Sequence, residues 1–354
     1  MNEQISLLDV DFNARLSQLT KLNDPLEALK KNIKWNEFES ILQNAYESHR
    51  RRLGVKSEAG RKPFKMLLMF KVLVLQSMYD LSDDQTEYMI RDRLSFMRFL
   101  DLTMNSTVPD AKTIWNYREM LVNEGTFKEL FDKFDEMLCA QGLTAKKGSL
   151  IDASIIEAPV QHNRPDENRT IKEGGVPEQW KEHPAKLRQK DCDAKWGAKH
   201  GKNYFGYKLH AAVDNKHKLI RNLVVTPANV HDSNVYGQLL EGDKNSSKDV
   251  YADSGYCGSS DPLPEGYREH VCRKGHRGHP ITEAEKKINR DISHFRCRVE
   301  HVFANLKSGD GITIRCIGLV RSTARIIMGS LCCNMNRFIT LTRSKRRGYC
   351  TQTA

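Results

Sequence analysis

No stretch of about 18 consecutive apolar residues occurs in this 354-residue chain, so no membrane-spanning helix is expected. The run LLMFKVLVL (67–75) is too short to span a bilayer and is interrupted by Lys71; it reads as a core helix. Paired CxxC spacings are absent, and the nine cysteines are an odd number. The opening residues MNEQISLLDVDF lack the basic-then-apolar layout of a secretory signal. Reduced thiols in a cytosolic setting are the expectation. Internal repeats are absent. Cys272, His276 and His279 lack the fourth ligand and two-pair spacing of a structural zinc site. His210, His231 and His301 are scattered and read as structural.

What is present is size and positive charge. The length suits two domains with a sizeable core, and 39% hydrophobic with 29% charged residues fits an ordered protein. The net charge is +11, unevenly placed: residues 286–347 hold 14 Lys or Arg against the three acids Asp291, Glu300 and Asp310, an excess of 14 − 3 = +11. Such a region points to a polyanion, most simply nucleic acid.

Residues 1–141 read as helical. Pro63 precedes a helix over 64–80, Ser82 or Asp83 can cap a second over 83–102, and Pro109-Asp110 precede a third. With Arg91, Arg93, Arg98, Lys112 and Arg118 they suit a helix-turn-helix-like DNA binder, or equally a small bundle with charges facing water. From residue 142 the pattern changes. SLIDASIIE (149–157) is an apolar strand with Asp152 in its middle. Residues 158–203 are polar, broken by proline and glycine, and read as a long loop. Trp196 beside Lys195 and Lys199 suits base stacking or ordinary packing. YFGYKLHAAV (204–213) and KLIRNLVVT (218–226) read as a strand pair around a turn, and a short helix runs from His231 to Leu240. Val250–Ala252 is a brief strand ending in Asp253, and His270–Cys272 is a last one.

The stretch ITEAEKKINRDISHFRCRVEHVFANLK (281–307) organises the rest. Ile288, Ile292, Phe295, Val299, Phe303 and Leu306 form one apolar helix face. Thr282 and Glu285 make a capping box, and Gly309–Gly311 supply a stop. Arg296, Glu300 and Lys307 fall within roughly 40° of one another at 100° per residue. Alone, this is a surface Arg–Glu pair or a metal-binding Glu among phosphate-binding bases. Asp152 in the first strand and Asp253 at the end of the fourth supply partner acids. The order of five strands and their helices is that of an RNase H-like α/β core, a mixed five-stranded sheet flanked by helices, behind an all-helical N-terminal region. Three carboxylates without clustered His or Cys favour Mg²⁺ or Mn²⁺, and two such ions serve in-line phosphoryl displacement.

These residues resemble a family. LIDASIIEAP (150–159), NYFGYKLHAAVD (203–214), VTPANVHDS (225–233), DSGY (253–256) and RCRVEHVFANLK (296–307) are similar to bacterial insertion-sequence transposases of the Asp-Asp-Glu type, in the family named after insertion sequence five. The resemblance covers nearly all of 35–340. The family helix carries Tyr, Arg, Glu and Lys at fixed intervals; Arg296, Glu300 and Lys307 match and Ser293 stands at the Tyr position. The separation of Asp253 and Glu300, 300 − 253 = 47 residues, leaves no room for a large inserted domain.

The resemblance implies a catalytic domain over 142–342 and a basic tail over 343–354. It implies Asp152, Asp253 and Glu300 as ligands of two Mg²⁺ or Mn²⁺ ions. Arg296 and Lys307, then Lys208, Lys112 and Arg118, are the expected DNA contacts. The partners implied are double-stranded DNA, as terminal inverted repeats and target, and further copies of the chain in a dimer or higher multimer. The setting implied is the bacterial cytoplasm at the nucleoid. Two alternatives stay open: a catalytically inactive DNA-binding regulator derived from a transposase, and a structure-specific metal-dependent nuclease.

Overall fold

A computed structural model describes residues 7–54, 62–199, 201–243, 245–256, 263–275, 278–308 and 312–346, with 7–11 and 344–346 as backbone only. The Gly309–Gly311 stop, His276 of the weighed zinc group and most of the 343–354 tail lie outside the described residues. The chain divides into two units, Met1–Phe134 with Met335–Ala354, and Asp135–Asn334.

In the first unit lie α1 (Leu7–Lys21), α2 (Pro25–Asn32), α3 (Glu39–Arg52), α4 (Met66–Met78), α5 (Asp83–Asp92), α6 (Leu94–Phe99) and α7 (Ala111–Asn123). Helix α8 (Thr126–Ala140) begins there and the division falls within it. The apolar run 67–75 forms α4, which is buried from Met69 to Met78. Phe70 packs on Phe38 with ring centres 5.1 Å apart. Lys71 is interior because its ammonium reaches Asp101 at 3.0 Å while lying over the Trp35 and Phe99 rings. Ser82 caps α5 through a reciprocal box with Gln85, and Asp110 caps α7 by accepting from Thr113 N at 2.7 Å. The single helix expected over 83–102 is two, broken at Arg93, whose backbone is extended and whose guanidinium stacks over Tyr79 and Phe96. That tertiary contact overrides the helical pattern.

The second unit is built on one sheet of six strands: β1 (Ser149–Glu157), β2 (Lys195–Lys199), β3 (Lys202–Asp214), β4 (Ile220–Pro227), β5 (Asp249–Ala252) and β6 (Arg268–Val271). Strand β3 pairs antiparallel with β1, β2 and β4. Strand β1 pairs parallel with β5, and β5 parallel with β6. The expected neighbourhood of the Asp152 and Asp253 strands is therefore real, within an RNase H-like mixed α/β sheet. The extra strand is β2, so Asp253 ends the fifth strand rather than the fourth. The short helix expected before Leu240 is two 3-10 turns, Asp232–Val235 and Gln238–Leu240. Ile151, Ala212, Val250 and Ala252 bury one sheet face against Val235, Tyr236, Leu239 and Tyr256. Among the described residues no helix is long and apolar enough to cross a membrane.

The segment 158–203, expected as a loop, is ordered into α9 (Pro165–Lys172), α10 (Glu178–Lys181), α11 (Pro184–Leu187) and β2. Helices this short fall below any periodicity window. They are held by Trp180, fully buried, whose indole donates to Glu167 at 2.6 Å while Lys186 pairs with the same carboxylate at 2.9 Å. Asp191 pins the segment. Its buried carboxylate accepts from Asp193 N and Ala194 N at 2.9 Å each, from the Tyr207 hydroxyl at 2.6 Å and from Gly318 N at 3.1 Å. Asp193 accepts from Leu319 N at 2.8 Å. The two acids thus satisfy amides at the start of α13 (Leu319–Arg346), which runs across the division into the first unit.

Removing the Asp191 carboxylate strands these buried donors together. Asp191→Ala is expected to lose about 2–4 kcal/mol of unfolding free energy, read as a lower urea midpoint. A midpoint equal to wild type would refute the pinning role.

Candidate active site

Successive residues of β1 point to opposite sheet faces. Ile151 enters the apolar core, so Asp152 faces the other way, toward the long helix α12 (Glu283–Ser308). Helix α12 opens with the expected capping box: Thr282 N donates to Glu285 at 3.0 Å, and Glu285 N to the Thr282 hydroxyl at 3.2 Å. Ile292, Val299, Phe303 and Leu306 are buried as the stripe requires, and Phe295 stacks on Tyr251 of β5 at 4.7 Å. Ile288 is the exception and stays exposed. This face lays α12 across β1 and β5. At the end of β5, Asp253 accepts from Gly255 N at 2.8 Å. A Cβ at position 255 would stand 2.9 Å from that carboxylate oxygen, so a side chain there would shift the Asp253 carboxylate.

Arg296 joins the two acids. Its Nη2 lies 3.5 Å from Asp152 Oδ2 and 3.8 Å from Asp253 Oδ2. Among the described residues its buried Nε has no hydrogen-bond partner. Asp152 also accepts from Ala153 N at 2.8 Å. Burial pushes the Asp152 carboxyl above its ordinary range; Arg296 and the Ala153 amide pull against this, and the Asp253 charge adds to it. Two carboxylates converging on one cation, with oxygen donors alone, fit a hard divalent ion in chemistry and charge. Arg296 meets that need for positive charge here.

Glu300 is exposed, one helical turn beyond Arg296. Among the described residues no three His, Cys, Asp or Glu side chains are grouped so as to hold a metal ion. The structure therefore brings Asp152 and Asp253 together and does not add Glu300 to them. Lys307, at the end of the same helix, is exposed; loss of hydration and then the Lys199 ammonium push its pKa down, with Glu157 opposing.

Other predicted residues are engaged elsewhere. Lys208 donates to Val230 O at 2.7 Å and to Asp232 at 2.8 Å. Arg118 makes a two-pronged pair with Asp83, at 2.6 and 2.8 Å. Lys112 is exposed, 3.9 Å from the centre of the Trp115 ring. Trp196 is 52% exposed and packs one side on Phe205. Asp232, which lies in a matching sequence stretch without a derivable role, sits beside the Asp253 turn: its Oδ2 is 3.7 Å from the Cβ position of residue 255. His210 backs it, fully buried, with Nε2 on the Thr226 hydroxyl at 2.9 Å and Nδ1 3.8 Å from Asp232. Lys199 is the residue that pattern reading passed over as a site; its ammonium donates to Ala153 O at 3.3 Å, next to Asp152. Its place in a lysine-rich run was the one available signal.

Residues 144–335 match the family described as transposase DDE domain, and residues 14–120 match a second described as transposase domain (DUF772). Among solved structures, the chain is similar to that titled "Cryo-EM structure of piggyBac transposase synaptic complex with hairpin DNA (SNHP)", at 11% identity and a TM-score of 0.45, covering 93% of this chain and 77% of that one.

Burial, against the pull of Asp232, pushes the His210 pKa down to about 4. In the unfolded chain the ring titrates near ~6.5, so between these values the unfolded state holds a proton that the folded state does not. Stability from this group is complete above pH ~6.5 and falls as pH drops toward 4. Urea unfolding of wild type and His210→Gln at pH 7 and pH 4.5 is expected to show their difference narrowing by roughly 2–3 kcal/mol at the lower pH. A pH-independent difference would show that His210 is not held neutral.

Proposed function

Since the chain belongs to the transposase DDE family, we propose that it binds the terminal inverted repeats of its own element, cleaves DNA at the element ends and joins the resulting 3′-hydroxyls to target DNA, as a member of the group named after insertion sequence five. The observation carrying this reading is the convergence of Asp152 and Asp253, from neighbouring parallel strands, on one cation supplied by α12.

In this reading Asp152, Asp253 and Glu300 would hold two Mg²⁺ or Mn²⁺ ions, which would supply Lewis-acid activation of the scissile phosphate and of a water or 3′-hydroxyl nucleophile. The chain's own residues supply placement and charge. Glu300 and Arg296 lie one turn apart on the same helix face, so Glu300 takes its place at the acids as Arg296 leaves them for a phosphate of the element end. Lys307 and Lys112 are exposed and add phosphate contacts; Lys208 and Arg118 do so in competition with Asp232 and Asp83. The helical first unit, with its helices α5 to α7, takes the duplex. Two element ends call for a dimer or higher multimer, working in the bacterial cytoplasm at the nucleoid.

A second reading, a DNA-binding regulator without catalysis, is favoured by Glu300 standing outside the acid pair. Cleavage separates the two. The expected result is Mn²⁺- or Mg²⁺-dependent nicking of duplex carrying the flanking inverted repeat, with strand transfer. Asp152→Ala, Asp253→Ala and Glu300→Ala should each lower it by on the order of a thousandfold while DNA binding persists. Binding without cleavage by the wild type would establish the regulator instead. Cutting of branched DNA with no preference for the repeat and no strand transfer would establish a nuclease.

A further inference from the structure

The β2–β3 hairpin carries a lysine to the acid pair. Lys199, the last residue of β2, is paired across the hairpin with Lys202, and its ammonium lies 3.3 Å from the carbonyl oxygen of Ala153. That carbonyl belongs to the residue after Asp152, so the hairpin reaches back over β1. The charge of Lys199 is felt by Asp152 and also by Lys307. Both lysines are exposed, and among the described residues neither meets a carboxylate at ion-pair distance. Glu157 is the acid whose field reaches Lys307. Two like charges brought near each other raise the free energy of the bare surface, and an anion lying along them removes that cost.

The elements give this arrangement a length. From Arg296 to Lys307 is 11 residues of α12, about 16 Å at the helical rise. From Asp152 to Glu157 is five residues of β1, again about 16 Å at the strand rise. Helix and strand are packed together, and the Lys199 ammonium meets the strand at Ala153, next to Asp152. A DNA strand presents one phosphate per about 3.4 Å of duplex axis, so one following β1 sets several phosphates along this line. Arg296 stands at the acid end of this line, and Lys199 and Lys307 are exposed lysines beside it.

We propose that Lys199 is a DNA-binding residue, one cation of a basic track that runs from the acid pair to Lys307 and grips the backbone phosphates next to the one being cleaved. This rests on reading Asp152 and Asp253 as the cleavage site of a DNA transposase. The competing role is local: Lys199 as a hydrogen-bond donor that covers the Ala153 carbonyl. Charge separates the two, because glutamine keeps a donor and loses the cation.

The test uses the full chain and two duplexes, one of arbitrary sequence and one carrying the flanking inverted repeat. Dissociation constants are measured across a salt series, with thermal melting as the control for folding. Lys199→Gln and Lys199→Ala are expected to weaken binding about fivefold to thirtyfold at low salt and to flatten the log–log salt slope by about 1, while Lys199→Arg keeps both. Adding Lys307→Gln to Lys199→Gln should flatten the slope by about one more. Lys195→Gln is the comparison: that ammonium donates to the carbonyls of Ile171 and Cys192, and its loss should leave the slope unchanged. If Lys199→Gln binds with the wild-type slope and affinity, the track is wrong and Lys199 is a backbone cover. Wild-type nicking under Mn²⁺ is scored in parallel. Nicking with an unchanged Lys199→Gln slope overturns the track and leaves the cleavage reading standing. A flattened slope without wild-type nicking supports the track and overturns the cleavage reading.

Discussion

Two carboxylates cannot share a half-buried surface without a positive charge between them. That constraint ties the second unit together. Asp152 sits in the middle of an apolar strand, and Asp253 sits at the end of the parallel neighbour. Their approach is tolerable because α12 lays Arg296 between them. The placement depends on the whole helix: its capping box sets where it starts, and its buried face sets its rotation. Glycine at 255 serves the same arrangement, since a side chain there would push on the Asp253 carboxylate.

A second layer of charge supports this pair from behind. Lys208, Asp232 and the buried neutral His210 form a compact polar group beside the Asp253 turn. The ordered 158–203 segment supports it from the side. Buried Trp180 with Glu167 and Lys186 makes a small core of its own, and Asp191 fastens that core to β3 and to the start of α13. The fastened segment leads directly into the β2–β3 hairpin that carries Lys199.

Much of the fold was legible before any coordinates. The caps at Ser82, Asp110 and Thr282, the core helix at 67–75 and the β3–β4 hairpin follow from patterns local to the chain, and the adjacency of the Asp152 and Asp253 strands from the RNase H-like order of its elements. Those patterns work because a cap, a turn or a periodic face is decided by residues within a few positions of one another. The break at Arg93, the order within 158–203 and the sixth strand are set by specific contacts that no period records: the Tyr79 and Phe96 rings, the Glu167–Trp180 contact, and pairing with β3. Short elements carry too few residues for a period to show.

The candidate site divides the same way. The sequence by itself determined that this is an α/β transposase-family chain with Asp152, Asp253 and an Arg-x3-Glu-x6-Lys helix, because spacing along a strand end and a helix face is a one-dimensional property. Only the tertiary structure decided which of those side chains meet. It put Arg296 rather than Glu300 between the acids, gave Lys208 to Asp232, and brought Lys199 to Ala153 from a hairpin more than forty residues away. Electrostatic partnership is fixed by distance in space and by loss of water. Neither quantity is written in the order of the residues.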